Sequence, residues 1–575
     1  MSAEEPEGKP LRRITFLSAV LFAFMLINVG QLFRWQVLEY DYLLSLAKAE
    51  HDWYMEIAPL RGTIRDRNGH ILALDIFEFE ITAAPPMVAN AEELADRLAP
   101  LLDRPRDEIL ELLKSGQPYV RLARRVPQQA GEIIESWGLR GIRVEPRPKR
   151  VYAEDNLAAH VLGFVNETNN GYYGVEGYYN QVLKGQAGEG QGERDPAGNY
   201  IPIGFHRLAP PQDGRDVVLT IDRNIQHMVE GELASAIARY GAESGTIIVM
   251  EPKTGSILAM ASYPSYDPNR FADMPVELFV NPSVSAHYEP GSVFKIISMA
   301  AGLDAGVITP QSTFYDSGSV EVGGRTIMNW DRRGHGLVTM TDVLAQSLNV
   351  GAAYVSTTLG RERFYTYVRR FGFGRITEVD LASEGPGRLR LPGDGEWHES
   401  DLGTNSFGQG LAVTPLQMIS AVAAVANDGL MMKPHVVGTI VDESAQQGRQ
   451  RVTTIQPIAM RRVIFPQTAQ QLTWMLVEAV QKETDLAAVP GYKIAGKTGT
   501  AQVPIPGGYH SSWTIASFIG YAPPEDPAFI VLVKIDKPAV EPWGSTVAAP
   551  VFKAVAEQLF VLLGIPPDEA RVTGG

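Results

Sequence analysis

The sequence predicts an α+β protein with a single transmembrane helix, a mixed α/β domain, and a second domain in which helices pack on an antiparallel sheet. Two observations predict this class. An apolar run fills residues 14–33, and hairpin patterns near residues 245–260 and 492–536 flank a segment that is helical in pattern. Hairpins at both ends of a helical middle favour an antiparallel sheet covered by helices, including those at the start and end of the domain.

Composition excludes several classes of function. The chain has 575 residues, of which 45% are hydrophobic, and a net charge of −15. This length allows about three or four domains. The negative charge argues against a nucleic-acid partner, because binding to phosphates needs a basic surface. With no cysteine in the chain, disulfides, cysteine-based zinc sites and thiol catalysis are excluded.

The N-terminal apolar run predicts a membrane anchor. Ile14–Phe33 would form a helix about 30 Å long, which matches a bilayer core. No small-x-small cleavage site follows, so we predict an uncleaved single-pass anchor at residues 14–34. The basic residues Lys9, Arg12 and Arg13 would hold a tail at 1–13 in the cytoplasm and leave the rest outside the cytoplasmic membrane.

Residues 35–215 predict a pedestal domain without catalytic residues. A hairpin is predicted across residues 61–73, with Asn68-Gly69 supplying the turn. Residues 91–138 have a helical pattern, and the glycine-rich stretch 185–199 predicts an exposed loop or arm. We therefore expect a structural and partner-binding module.

Residues 216–565 predict the second domain, followed by a tail at 566–575. The expected elements are a strand at 216–222, a helix at 225–240, a hairpin of 245–250 with 256–260, helices at 292–304, 339–359 and 415–428, strands at 492–503, 513–521 and 528–536, and a closing helix at 546–563.

The chemistry centres on residues 289–295. Ser292 and Lys295 stand three residues apart at a predicted helix start, so the amine can reach the hydroxyl. A serine becomes nucleophilic when a neighbour takes its proton, and a lysine can do so where its environment lowers its pKa. Alone, a Ser-x-x-Lys spacing also arises by chance in a chain this long.

Two further motifs strengthen the case. Ser347 and Asn349 lie between helical segments and offer a second hydroxyl and an amide. Residues 497–500, Lys-Thr-Gly-Thr, lie on a predicted strand, where the glycine permits close approach and the lysine offers positive charge to a carboxylate. A second Lys-Thr-Gly at 253–255 follows a proline, and we interpret that copy as a turn.

The ordered set Ser-x-x-Lys, Ser-x-Asn and Lys-Thr-Gly resembles that of penicillin-binding proteins and serine β-lactamases. Four further stretches make the resemblance specific to the class B, monofunctional penicillin-binding proteins: residues 61–69, 408–410, 414–417 and 496–502. This resemblance covers nearly the whole chain. The overall arrangement of segments most resembles the elongation type, penicillin-binding protein 2. The division-type paralogue is almost as similar, and residues 289–292 resemble the division type more than the elongation type.

The resemblance implies a peptidoglycan D,D-transpeptidase without a cofactor, inhibited by β-lactams. Ser292 would attack the carbonyl between two terminal D-alanines, Lys295 would take its proton, and Ser347 with Lys497 would pass a proton to the leaving D-alanine. Asn349, Thr498, Gly499 and Thr500 would bind the donor peptide, with the Ser292 and Thr500 N–H groups as oxyanion hole. A polytopic glycosyltransferase of the shape, elongation, division and sporulation type would be the partner, contacted through the anchor and residues 35–215.

Other functions stay open or are disfavoured. A β-lactamase of the class A pattern needs a Glu followed four residues later by Asn between the second and third motifs, and residues 350–496 contain none. A D,D-carboxypeptidase uses water as acceptor, which the motifs do not exclude. A largely non-catalytic activator of the polymerase also stays open, although sensors that keep the acylating serine have more transmembrane helices than the one predicted here. His335 follows the nucleophile helix, where some relatives bind zinc, but the absence of cysteine argues against a metal. The absence of Gly-x-Ser-x-Gly around any serine argues against a Ser-His-Asp hydrolase.

Overall fold

The computed structural model describes residues 9–193, 207–443, 450–483 and 485–572. Its helices are α1 Lys9–Phe33, α2 Tyr40–His51, α3 Ala91–Leu102, α4 Arg106–Lys114, α5 Gln128–Ser136, α6 Ala159–Leu162, α7 Gly174–Tyr178, α8 Asn180–Leu183, α9 Arg223–Tyr240, α10 Pro282–Ser285, α11 Lys295–Asp304, α12 Met340–Ala345, α13 Asn349–Leu359, α14 Arg361–Arg370, α15 Glu399–Asn405, α16 Pro415–Ala426, α17 Pro466–Glu483, α18 Gly544–Leu562 and α19 Asp568–Val572.

Its strands are β1 Asp52–Ile57, β2 Ile64–Arg65, β3 Ile71–Ala83, β4 Val120–Val126, β5 Ile142–Tyr152, β6 Phe164–Val165, β7 Gly171–Tyr172, β8 Gly188–Glu193, β9 Arg207–Ala209, β10 Asp216–Leu219, β11 Ser244–Met250, β12 Ile257–Tyr263, β13 Thr313–Asp316, β14 Ser319–Val322, β15 Arg325–Met328, β16 Gly336–Thr339, β17 Leu430–Met432, β18 Val437–Asp442, β19 Arg451–Thr454, β20 Ala459–Arg462, β21 Ala495–Ile505, β22 Gly508–Ala522 and β23 Phe529–Asp536. Parts of three predicted segments lie outside the described residues: positions 1–8, 194–199 and 573–575.

The N-terminal helix has the character predicted for an anchor. Residues Leu11–Leu38 form a 28-residue apolar stretch of which none is buried, as α1 continues into a π-helical turn at Arg34–Leu38. Such a surface is stable in a bilayer and costly in water, so this helix is consistent with membrane anchoring. The helix α18 is also long and apolar enough to span a membrane, but half of its apolar window is buried in the protein.

The described residues within 1–59 and 186–212 form one compact unit. Within it, β8 pairs antiparallel with both β1 and β9. The prediction of a loop over the glycine-rich stretch 185–199 is therefore wrong for residues 188–193, which form β8. Glycine weakens a strand, but it still pairs through its backbone when neighbouring strands supply the partners.

The described residues within 60–185 and 213–575 form the second unit. It contains a seven-stranded sheet whose strands come from residues 64–152, 216–219 and 437–454. The strand order is β19-β18-β10-β2-β3-β4, with β5 also paired to β3. The predicted hairpin around Asn68-Gly69 is present as β2 and β3, with Gly69 at φ 90°. Strand β10, which begins the predicted second domain, lies between β2 and β18.

The segment 91–138 is only partly helical, which corrects the prediction. It contains α3, α4 and α5, but residues 120–126 form β4, which pairs with β3. Val120, Leu122 and Val126 of β4 are buried in a core shared with the three helices. The arginines between these residues are partly or fully exposed, so burial of alternate residues decides the strand.

A five-stranded antiparallel sheet of order β12-β11-β23-β22-β21 confirms the predicted architecture of the C-terminal region. Residues of β11 alternate between two cores: Ile247 packs with α9 and α18, whereas Ile248 packs with α11 and α16. The sheet is therefore covered by helices on both faces. The predicted helix 339–359 is interrupted between α12 and α13, and Ser347 lies in that break.

Candidate active site

Ser292 lies in a tight turn that introduces a buried helix. Residues Gly291–Phe294 form a 3-10 turn that runs directly into α11. Gly291 has φ 61°, and a Cβ there would lie 2.8 Å from the Thr500 carbonyl oxygen. Only glycine fits this conformation and this approach without strain. The turn thus presents Ser292, which is half-buried, against strand β21.

Lys295 is fully buried and binds both predicted hydroxyls. Its Nζ lies 3.1 Å from Ser292 Oγ and 3.2 Å from Ser347 Oγ. It also donates to the Ser347 carbonyl oxygen at 2.5 Å and to Asn349 Oδ1 at 2.9 Å. The Ser347 carbonyl oxygen and Asn349 Oδ1 can only accept hydrogen bonds, so each holds one N–H bond of the amine. The third position on the nitrogen, a hydrogen or a lone pair, faces the two hydroxyls, which can either donate or accept.

Ser347 has an unusual backbone conformation. It lies between α12, whose start is fixed by a capping box of Thr339 and Asp342, and α13. Its φ is 57°, in the left-handed region that costs a non-glycine residue about 1–2 kcal/mol. The hydroxyl is held near Lys295 at this cost, and strain of this kind concentrates at functional sites.

Asn349 begins α13 and is already hydrogen-bonded within the protein. Its Oδ1 accepts from Lys295, and its Nδ2 donates to the Met328 carbonyl oxygen at 3.0 Å. The amide nitrogen carries two hydrogens. Asn349 therefore orients Lys295 and retains one N–H that a bound peptide could use.

Strand β21 carries the third motif past the nucleophile turn. Lys497 is buried, and its Nζ donates to Thr498 Oγ1 at 3.1 Å. A Cβ on Gly499 would lie 2.4 Å from Ser517 Oγ on β22, 2.9 Å from a Val293 side-chain carbon and 3.2 Å from the Pro290 carbonyl oxygen. The neighbouring strand and the nucleophile segment therefore both approach this glycine closely.

Thr500 ties this strand to the closing helix. Its Oγ1 accepts from the N–H of Gly544, the first residue of α18, at 2.9 Å.

The second Lys-Thr-Gly, at 253–255, lies in the turn between β11 and β12 with Gly255 at φ 79°. This confirms its interpretation as a turn.

Glu289 and Tyr509 link two further loops to the nucleophile turn, and the sequence analysis gave them no role. Tyr509 OH donates to Glu289 Oε2 at 3.1 Å, and the Gly410 N–H donates to Glu289 Oε1 at 3.0 Å. Burial raises the pKa of the Glu289 carboxyl, and these two hydrogen bonds offset part of the rise. Tyr509 follows the glycine pair 507–508 that turns β21 into β22, which is the sequence signal that could have identified it.

Two exposed tryptophans also lie beside the motifs. Trp330 and Trp543 pack edge to face, with ring centroids 5.9 Å apart. Trp330 Nε1 donates to the carbonyl oxygen of Gln346, which precedes Ser347. Trp543 precedes Gly544, whose N–H binds Thr500. Their exposure indicates a surface that a ligand can contact.

His335, considered above as a possible zinc ligand, pairs with Asp331, with Nε2 and Oδ2 3.1 Å apart. Among the described residues, no group of three or more His, Asp or Glu side chains is placed to hold a metal ion.

Comparisons with known proteins identify the family of the chain. The family model "Penicillin binding protein transpeptidase domain" matches residues 245–557, and "Penicillin-binding Protein dimerisation domain" matches residues 56–219. Stage V sporulation protein D of Bacillus subtilis is 34% identical over 538 residues, covering 92% of this chain and 82% of the relative. Penicillin-binding protein PbpB of Mycolicibacterium smegmatis is 33% identical, covering 95% and 90%.

A solved structure shows the same likeness. Penicillin binding protein 3 from Mycobacterium tuberculosis, complexed with aztreonam, superposes with a TM-score of 0.69 at 29% identity, covering 89% of this chain and 98% of that chain.

Proposed function

The chain belongs to the class B penicillin-binding proteins, which are peptidoglycan D,D-transpeptidases, and we propose that Ser292 is its nucleophile and Lys295 its general base. One observation carries this assignment: a single buried amine lies within hydrogen-bonding distance of both Ser292 Oγ and Ser347 Oγ. Proton transfer needs heavy atoms at about this distance.

These contacts support the first half-reaction that we propose. Ser292 Oγ attacks the carbonyl carbon between the two terminal D-alanines of a donor stem peptide, while Lys295 takes the hydroxyl proton. The N–H groups of Ser292 and Thr500 stabilise the oxyanion. The C–N bond then breaks, and the proton reaches the departing D-alanine amine through Ser347, assisted by the charge of Lys497.

The second half-reaction regenerates the enzyme. The amine of a second stem peptide attacks the acyl-enzyme carbonyl, the ester bond to Ser292 breaks, and Ser292 Oγ recovers a proton from the attacking amine through Lys295. A β-lactam acylates Ser292 by ring opening and stays attached, because its leaving group remains tethered. Asn349, Thr498 and Gly499 border the groove that would hold the donor, with Thr498 placed for its carboxylate.

A single assay tests the reaction and its acceptor. The full-length protein is incubated with a stem pentapeptide and an amine acceptor in ¹⁸O-labelled water, and products are separated by mass. We expect the cross-linked peptide to dominate, and Ser292→Ala to abolish it. A product that is mainly ¹⁸O-labelled tetrapeptide would instead support the D,D-carboxypeptidase alternative.

The anchor suggests where the enzyme works. We propose that α1 crosses the cytoplasmic membrane with its N-terminus inside and the catalytic region outside, as the basic residues Arg12 and Arg13 before the apolar run favour. Protease added to intact spheroplasts should degrade the catalytic region and spare an epitope tag at the N-terminus. Protection of the catalytic region would reject this orientation.

We further propose that residues 35–215 and the anchor contact a polytopic glycosyltransferase that makes the glycan strands. Phe77 of β3 is a large apolar side chain with 41% exposure, as a docking surface requires. Phe77→Glu should reduce glycan synthesis by the co-reconstituted polymerase while Ser292 still acylates. Val452→Glu, an exposed site on β19 of the same sheet, is the matched control.

The cellular role is proposed to be wall elongation, with division as the second candidate because residues 289–292 resemble the division type. The shape of cells depleted of the protein distinguishes the elongation role from the division role. Rounded cells would support elongation, and filaments with normal side walls would support division.

A further inference from the structure

A cavity of about 430 Å³ lies among residues to which the proposed reaction assigns no role. It is bordered by the end of α14, the start of α16 and the paired strands β17 and β20. Its lining includes Phe371, Arg375, Ile376, Gln417, Met431 and Arg461. Phe371 and Met431 make part of the lining apolar and buried, whereas Arg375 is exposed and Arg461 is partly buried.

The position of Arg461 is fixed by its neighbours. Its Nε donates to the Arg370 carbonyl oxygen at 2.6 Å. A Cβ on Gly372 would lie 3.0 Å from Arg461 Nη2, and Gly372 itself has φ 93°. A larger residue at 372 would be strained and would crowd this guanidinium, so the glycine leaves room for it.

The wall opposite is also held in place. Gln417, which is 2% exposed, donates from Nε2 to the carbonyl oxygens of Arg375 and Pro386 at 2.7 and 2.8 Å. These bonds fix the backbone of the loop that carries Arg375. The cavity walls are therefore formed before any ligand enters, which lowers the entropic cost of binding.

The charges at this cavity are not balanced. Within the described residues, the Arg375 guanidinium makes no hydrogen bond or ion pair. Burial and the neighbouring charge of Arg375 lower the pKa of Arg461. The acidic residue in the lining, Glu378, lies 3.6 Å from Lys433 Nζ and offsets part of the effect of Arg375 on Arg461, so that one carboxylate faces three cations. A pair of like charges in a chain of net charge −15 indicates a place for an anion.

We propose that this cavity is a second, non-catalytic binding site for a carboxylate or phosphate that bridges Arg375 and Arg461, with the apolar part of the ligand against Phe371 and Met431. The guanidinium groups supply forked N–H donors suited to either anion. If the proposed transpeptidase function holds, the abundant carboxylate at this enzyme is the C-terminus of an uncross-linked stem peptide.

Calorimetry on the full-length protein tests the site. The probes are inorganic phosphate and diacetyl-L-lysyl-D-alanyl-D-alanine, with the C-terminal amide of that peptide as the uncharged comparison, all at constant ionic strength. Penicillin-acylated protein is used for the peptides so that the catalytic groove is occupied. We expect saturable binding of an anion, no binding of the amide, and at least about tenfold weaker binding by Arg375→Gln and by Arg461→Gln.

Two control variants distinguish the loss of a specific binding site from the loss of overall positive charge and from misfolding. Arg369→Gln removes an exposed arginine near the end of α14 that does not line the cavity, and should bind as the wild type does. Arg461→Lys keeps the charge and should bind better than Arg461→Gln. Binding of phosphate alone would assign the site to phosphate ligands, and binding of the peptide would assign it to carboxylates.

The proposal is overturned if neither anion binds, or if Arg369→Gln weakens binding as much as Arg375→Gln. Intact mass after penicillin treatment reports separately on Ser292. The phosphate titration needs no acylation, so failure of the Ser292 assignment leaves this test decisive.

Discussion

At Lys295 one nitrogen lies within hydrogen-bonding distance of four oxygens, two of which can only accept. The Ser347 carbonyl and Asn349 Oδ1 hold two N–H bonds of the amine, so its last position is directed to the hydroxyls of Ser292 and Ser347. A neutral lysine would therefore aim its lone pair at the nucleophile. An arginine at this position could not act in this way, because it does not lose a proton in proteins.

Ser347 allows its hydroxyl and its backbone to be tested separately. Ser347→Ala and Ser347→Gly both remove the hydroxyl and should slow acylation of Ser292 to a similar extent. Because φ is 57° at this position, glycine relieves strain that alanine retains, so the glycine variant should be more stable than the alanine variant by about 1 kcal/mol. Urea unfolding measures this difference, and equal stability would argue against a strained serine.

His160 predicts a pH dependence of stability. Burial lowers its pKa from 6.5 to about 4, with Nε2 2.9 Å from the Leu278 carbonyl oxygen. Between these values the unfolded chain binds a proton that the folded chain does not. The folded protein should therefore lose up to about 3 kcal/mol as the pH falls from 6.5 to 4.

The variant His160→Gln provides the matched control. Its side-chain amide can still donate towards Leu278 but does not titrate. Denaturation measured at pH 7 and pH 4.5 should show a smaller loss of stability in the variant than in the wild type, whereas equal losses would show that His160 is not the group responsible.

Among the elements, the β21–β22 hairpin does more than carry the Lys-Thr-Gly motif. Tyr509, just beyond its turn, binds Glu289, three residues before the nucleophile. The same carboxylate binds the Gly410 N–H, so one buried side chain positions the hairpin, the 408–410 loop and the nucleophile turn together. Glu289 and Tyr509 are thus positioning residues in this account.

Tyr509→Phe should slow acylation of Ser292 by β-lactams several-fold, because it removes one hydrogen bond that is worth about 1 kcal/mol or more to a charged partner. Stopped-flow acylation over a range of drug concentrations should show a lower maximal rate with little change in apparent affinity. Tyr492→Phe removes a hydroxyl bonded to the Ile565 carbonyl oxygen and should leave acylation unchanged. An effect of equal size in both variants would contradict the positioning role.

Sequence patterns predicted the elements whose signals are local. Asn68-Gly69 predicted the β2–β3 turn, and the apolar run after Ser292 predicted α11. The patterns failed at β4, where arginines obscure the alternation, and at β8, where glycine suggested a loop. In both cases neighbouring strands supply the backbone hydrogen bonds. A local sequence pattern cannot predict which strand will lie beside it.

For the molecule as a whole, the sequence alone could identify the three motifs and their order. It could not predict all of the tertiary contacts that bring these motifs together. Strand β10 pairs with β2 in parallel and with β18 in antiparallel fashion, so the sheet combines segments distant in sequence. Likewise, the contacts of Lys295 with Ser347 and Asn349 join residues more than 50 positions apart. The spacing of Ser292 and Lys295 predicted a shared helical face, whereas the Glu289–Tyr509 contact follows only from tertiary packing.

The most direct test of the account is the intact mass of the full-length protein after incubation with penicillin, compared with Ser292→Ala. We expect one stable adduct per wild-type chain and none in the variant, because Ser292 is the proposed nucleophile and the tethered leaving group prevents release. An adduct that persists in Ser292→Ala, or a folded wild-type protein that forms none, would contradict the assignment of Ser292.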